Sequence, residues 1–215
     1  MTVLTQFMLG VPASCADGPC GWLSRVVVDP ATSTVTYLVV EPTEREQLGR
    51  LVPLDLVDAT ADQLRLRCAA TEFFELPHAE QAQFNRGTGD YARYDQGQPA
   101  GGYLSQARAR PGAGVNGRLP QTFTFDLVPA GQVAIRGGDL VHAVDGDTGH
   151  VTGLVADANR HRVVYLLLET GHLPVRKHVA VPIESVARMD AGICLDITRH
   201  EVRHLPPVSL AHQEH

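Results

Sequence analysis

Asp17-Gly18-Pro19-Cys20-Gly21 and, 128 residues further on, Asp145-Gly146-Asp147-Thr148-Gly149 are the two stretches on which the reading of this chain turns. Laid over one another they agree at the Asp and at both outer Gly positions. The agreement continues at the same offset, with Asp29 on Asp157, Val35 on Val163, Tyr37-Leu38 on Tyr165-Leu166 and Glu41 on Glu169. Past Glu41 one residue is inserted, which a loop absorbs at little entropic cost. Val52-Pro53-Leu54-Asp55 then overlies Val181-Pro182-Ile183-Glu184, and Glu72 with Leu76-Pro77 overlies Glu201 with Leu205-Pro206. Solenoid units run ~20 to 50 residues, so this period is too long for a repeat array and marks the duplication of a whole domain.

Within a copy, Trp22 to Asp29 and Thr34 to Glu41 are β-branched and aromatic runs separated by Pro30-Ala31-Thr32-Ser33, which predicts a hairpin. In the second copy His150 to Asp157 and Arg162 to Glu169 flank Ala158-Asn159-Arg160-His161, where Asn159 suits left-handed geometry. Short strands end at Val52 and Val181, each followed by Pro and one helical turn, Pro53 to Val57 and Pro182 to Val186. Further strands are predicted at Gln63 to Cys68 and Gly192 to Ile197, then at Glu72 to Leu76 and Glu201 to Leu205. Short strands punctuated by turn residues predict an all-β chain of two small barrels, a form that protects exposed strand edges.

Between the copies, residues 85–117 hold eight of the chain's twenty glycines, with Gln, Ala and Pro interspersed and no hydrophobic period. A flexible linker is expected there, so the division reads 1–78 first barrel, 79–127 linker, 128–208 second barrel and 209–215 tail. The linker carries Tyr91, Tyr94 and Tyr103 and the basic Arg108-Ala109-Arg110. These read as incidental to a solvated tether, with a docking segment as the alternative.

A formal charge of −6 and a pI near 5.9 supply no basic field for phosphate counterions, so no nucleic-acid partner is expected. Cys15, Cys20, Cys68 and Cys194 are too few and too irregular for a disulfide framework. The first residues lack a basic leader, and no apolar run of about 18 residues occurs. These features predict a cytoplasmic protein without membrane insertion.

The pattern Asp-Gly-x-x-Gly, an Asp-ended hairpin, Tyr-Leu and a closing Glu, then Val-Pro-Leu/Ile resembles the PRC-barrel family, in both copies. Val128 to Arg136 looks like the strand that leads into such a barrel. The family is represented by the cytoplasmic domain of the photosynthetic reaction-centre H subunit and the C-terminal half of a ribosome maturation factor. In neither is the barrel an enzyme, and the resemblance implies a protein-interaction module.

His200-Glu201-Val202-Arg203-His204 fits the H-E-x-x-H zinc signature, which requires a helix to bring both imidazoles to one face. The equivalent Thr71-Glu72-Phe73-Phe74-Glu75 has neither histidine, and both segments end in Leu-Pro as a terminal strand would, so the match reads as accidental. Nine of ten histidines lie from His142 onward, among them His172, His178, His212 and His215. They read as solvated, because a metal site needs converging ligands with supporting partners. Cys15 and Cys20 are weakly spaced for a redox or zinc pair, and Cys68 reads as a small core residue with no partner cysteine. Asp29 and Asp157 are expected to bond hairpin amides, with Glu41 and Glu169 also structural, and Trp22 to anchor its barrel. No phosphate loop, nucleophile elbow or dinucleotide fingerprint is present.

The sequence thus predicts a non-enzymatic interaction scaffold with no catalytic, cofactor or metal residues and no cofactor. Its partner would be a protein of unspecified identity, and its barrels are open to intramolecular pairing, as a fused homodimer would retain. The alternatives are a metal-dependent hydrolase using His200, Glu201 and His204, and a ribosome-assembly accessory factor.

Overall fold

The computed structural model describes residues 3–43, 48–59, 63–85, 103–104, 107–109, 121–171, 176–189 and 192–206. Tyr91, Tyr94, Arg110, His172, His212 and His215 lie outside the described residues. The described chain is mostly strand, built around two curled sheets of seven strands each, with a three-stranded and a two-stranded sheet in the segment between the copies.

The first copy runs β1 (Leu4–Met8), β2 (Pro12–Cys15), β3 (Gly18–Asp29), β4 (Thr34–Pro42), β5 (Arg50–Pro53), a 3-10 turn (Leu54–Leu56), β6 (Val57–Ala59), β7 (Leu64–Leu66) and α1 (Ala70–Glu75). Between the copies lie β8 (Glu80–Asn85), β9 (Tyr103–Leu104), β10 (Ala107–Ala109), β11 (Gln121–Asp126) and β12 (Val128–Pro129). The second copy repeats the first with β13 (Val133–Arg136), β14 (Leu140–Ala143), β15 (Gly146–Asp157), β16 (Val163–Thr170) and β17 (Lys177–Pro182). It closes with a 3-10 turn (Ile183–Ser185), β18 (Val186–Arg188), β19 (Ile193–Leu195) and α2 (Arg199–His204). Five strands of each copy form the path β5-β4-β3-β2-β7 and β17-β16-β15-β14-β19, with β6 and β18 as the outer strand beyond.

The seventh strand of each sheet comes from the other copy. β1 runs antiparallel to β15, with Phe7 opposite Leu154, while β13 runs antiparallel to β3, with Ile135 opposite Val26. These two pairings are the same pairing seen from the two sides, because Phe7 and Ile135 occupy equivalent positions. Each exchanged strand then returns to its own barrel at a glycine, Gly10 with φ 87° and Gly138 with φ 82°, backbone that a side chain would strain. There Gly10 N–H donates to the Leu23 carbonyl at 2.7 Å and Gly138 N–H to that of Val151 at 2.8 Å.

The hairpin tips complete the reciprocity. Val35 N–H donates to the His161 carbonyl at 2.8 Å, and Val163 N–H to that of Ser33 at 2.7 Å. The left-handed residues in these loops are Ser33 (φ 53°) and His161 (φ 54°), not Asn159 as the composition of the loop suggested. The contact holds them: each turns its carbonyl towards the opposite barrel. Side chains follow the backbone, and one buried cluster runs through both copies, from Leu23, Val26, Leu38 and Phe73 to Val141, Leu154, Leu166 and Val202.

Barrel one is also covered on its outside. Val27, Val39 and Leu51 form a second apolar cluster with Ala79 and Val128, the two ends of the connecting segment. Burial of such side chains stabilises by about 1.5–3 kcal/mol each. The connecting segment is correspondingly more than a tether at its ends, where β8 and β11 pair over their full six residues. The expected lead-in strand at Val128 to Arg136 is divided into β12 and β13.

Further expectations are overturned. Glu72 to Leu76 and Glu201 to Leu205 are not strands; they lie in the short helices α1 and α2 and their C-caps. The reason is capping. Thr198 and Glu201 form a capping box, in which Thr198 N–H donates to Glu201 Oε2 at 2.8 Å and Glu201 N–H to Thr198 Oγ1 at 3.3 Å. Trp22, expected to anchor the barrel, is only half-buried on the outer face opposite Glu41.

Candidate functional site

The Asp-Gly-x-x-Gly motif sits at equivalent ends of the two barrels and organises both. Its Asp caps the terminal helix: the Ala70 N–H donates to Asp17 Oδ1 at 2.8 Å and the Arg199 N–H to Asp145 Oδ1 at 2.7 Å. Those hydrogen bonds, first that from the Arg199 backbone and then that from its guanidinium, hold the Asp145 carboxyl below its usual range. The last Gly of each motif is required by space. A Cβ on Gly21 or Gly149 would overlap the backbone carbonyl of Glu41 or Glu169 on the neighbouring strand.

On barrel one this end opens into a cleft of about 640 Å³ lined by Ser14 to Ala16, Gly18, Pro19 and Arg65 to Arg67. Arg67 is held bidentately by Asp58 at 2.6 and 3.1 Å, and Arg65 lies opposite Asp58 on the adjacent strand. The Arg67 hydrogen bonds, with the charges of Arg67 and Arg65, pull the Asp58 carboxyl below its ordinary range. The rim is therefore an exposed carboxylate between two guanidiniums.

Beneath the rim three thiols meet. Cys15, Cys20 and Cys68 are each 5% exposed, and Cys15 lies against both of the others. Burial, reinforced by Cys20, pushes the Cys15 thiol up to about 12, and burial raises Cys20 and Cys68 as well. These are protonated packing groups rather than nucleophiles. The reading of Cys68 as a core residue fits its burial, and it packs beside Cys15 as a free thiol. The parallel pairing of β2 with β7 brings the segment before Cys68 beside Cys15, and Ala16 N–H donates to the Cys68 carbonyl at 2.9 Å.

On barrel two the same end is chemically different. His142 Nδ1 lies 2.6 Å from Asp147 Oδ1, and Cys194 is the register partner of His142 on the parallel strand β19. Arg188 Nη2 approaches Cys194 Sγ at 3.6 Å. The equivalent positions of His142, Asp147 and Cys194 in barrel one are Ser14, Pro19 and Arg65.

The H-E-x-x-H segment is helical after all. His200 and His204 share a face with ring centroids 4.2 Å apart. Yet His204 Nδ1 lies 2.8 Å from the His200 carbonyl, and Glu201 is engaged by Thr198, whose hydrogen bonds hold its carboxyl low. Among the described residues no group of three His, Cys, Asp or Glu side chains is placed to hold a metal ion.

The remaining carboxylates stabilise loops and strands. Asp29 accepts from Ala31 N–H and Thr32 Oγ1, both at 2.9 Å, and Asp157 accepts from Asn159 and Arg160 N–H at 2.8 and 3.0 Å. Glu41 pairs with Arg25, which also meets Glu80 of β8, whereas Glu169 pairs with Arg176 at 2.6 Å. No helix among the described residues is long and apolar enough to cross a membrane. No protein-family model matches the chain, and no curated protein matches it.

Proposed function

We propose that this chain is a non-enzymatic protein-interaction scaffold, which presents the barrel-one cleft and its Arg65–Asp58–Arg67 rim to a protein partner. The observation that carries this reading is the contrast between frame and surface. Reciprocal strand exchange and the two Asp-capped helices are kept in both copies, while the surface beside the motif differs at every position compared above. A duplicated frame with divergent faces suits a body that offers two distinct surfaces at a fixed spacing. The resemblance to PRC barrels, and a net charge of −6 that disfavours polyanions, support the same reading.

The test is affinity capture by the full-length chain from its native cell, beside the Arg65→Glu/Arg67→Glu variant. A stoichiometric protein held by the native chain and lost by the variant is the expected result. Recovery of the chain alone, or the same partner on both baits, overturns the assignment to this cleft.

A further inference from the structure

Four neighbouring strands of barrel two place four side chains in one row across its outer surface. Asp147 on β15 is opposite His142 on β14, His142 is opposite Cys194 on β19, and Cys194 is opposite Arg188 on β18. Burial alternates along the central strands: Val141 and Ala143 point inward on either side of His142, and Ile193 and Leu195 on either side of Cys194. His142 and Cys194 therefore project from the same outer face, because register partners share a face of the sheet.

The imidazole is oriented by its carboxylate neighbour and stands one strand away from the thiol. Nδ1 faces the Asp147 carboxylate at 2.6 Å, so the Nδ1 proton is held there and the Nε2 lone pair is left facing away from Asp147. The opposite edge of the ring points towards β19, since Cδ2 lies 4.0 Å from the position of a Cβ on Gly192, two residues before Cys194. A carboxylate orienting an imidazole on the strand next to a thiol, both on one face, places the three groups in the order that activates cysteine nucleophiles. Arg188 adds a donor to the sulfur at 3.6 Å, and Cys194 is the one cysteine of the four that is not buried.

We propose that Cys194 is a nucleophilic modification site for low-molecular-weight disulfides, with His142 as its base and Asp147 as the residue that positions the imidazole. His142 Nε2 takes the proton from Cys194 Sγ, and the sulfur electron pair attacks one sulfur of the disulfide. The S–S bond breaks, its electron pair leaves with the departing sulfur, and His142 returns the proton to that thiolate. One mixed disulfide on Cys194 and one free thiol result, and the incoming disulfide is the only oxidant required.

The experiment uses the full-length chain and a chromogenic aromatic disulfide at about pH 7, where imidazole exchanges protons readily. One equivalent of thiolate is released rapidly by the native protein and none by Cys194→Ser, while the other three cysteines react only after unfolding in urea. His142→Gln slows the native reaction by about a hundredfold or more, the scale of general-base assistance. Asp147→Asn slows it by less, and both variants release thiolate at the native chain's rate once all are unfolded. All these side chains point outward, and far-ultraviolet circular dichroism verifies that the variants fold. Reaction of native Cys194 no faster than in the unfolded chain, or an unchanged rate in folded His142→Gln, overturns the proposal.

Discussion

Barrel one and barrel two share a backbone plan yet solve the same interior and outer positions with different chemistry. Where barrel one holds Cys15, Cys20 and Cys68, barrel two holds Ala143, Thr148 and Ile197. Where barrel one buries Arg25 at 4% exposure, barrel two has Gly153, whose missing side chain admits β1 close against β15. A Cβ there would lie 2.6 Å from the Phe7 carbonyl. The difference separates what the exchange demands from what the copies were free to vary. The frame needs the Asp cap, the glycine against the next strand's carbonyl (Gly21 and Gly149) and the returning glycine (Gly10 and Gly138), and these are held in both.

Substitutions rank this division. The largest effect is expected at Gly149→Val, or equally Gly21→Val, where the new side chain must displace a strand carbonyl. A loss above ~4 kcal/mol, read as failure to accumulate soluble folded protein, is expected in either copy. Phe7→Ala removes a buried anchor of the exchanged strand and should cost about 4 kcal/mol in urea unfolding. Because the core is shared, a single cooperative transition shifts as a whole. Two separate transitions, only one of them moved, would break the comparison by showing independent barrels.

Glu80→Ala strips a partner from the buried Arg25 and should destabilise by about 3 kcal/mol, an effect with no counterpart at Gly153. Arg25→Met with Glu80→Leu should recover part of that loss, since the buried guanidinium is gone and the carboxylate that loses its partner, Glu41, is a quarter exposed to solvent. Thr198→Ala removes the hydroxyl cap of α2 at about 1 kcal/mol, and Ala69→Thr should add a similar amount at α1, where only Glu72 now accepts from the Ala69 amide. The pair of measurements sharpens the comparison, since the two helices should become alike.

The smallest effect concerns acid. Asp157 is held below its usual range by the Arg160 and Asn159 amides, so its contribution is fully present above the unfolded carboxylate range near pH ~4. It is lost as pH falls through the lower folded value. The stability gap between the native chain and Asp157→Asn should therefore be open at neutral pH and closed in strong acid. A gap that persists unchanged would remove the assigned cause.

The repeat was legible because Asp, Gly and Gly recur at fixed spacing, and the hairpins because β-branched runs flank turn residues. What the Asp does was not legible: its amide partner at Ala70 or Arg199 lies more than fifty residues away in sequence. The helices were misread because six residues show no period and Leu-Pro endings suit either element. The available signal was Thr198-x-x-Glu201, a capping box in plain view. The row Asp147–His142–Cys194 was invisible for another reason. It is assembled by a parallel pairing between β14 and β19, and no local pattern announces such a pairing.

The exchanged strands also set a timetable for the newborn chain. The far half of β3, Arg25 to Val28, receives its second neighbour only when Val133–Arg136 has been made. At ~5–20 residues per second, translation leaves this edge open for on the order of ten seconds. During that interval Val26-Val27-Val28 is an unpaired apolar edge, a template for any other extended segment nearby. Crowded chains at the same stage can satisfy one another's edges instead of their own, producing linked dimers with the same hydrogen bonds as the monomer.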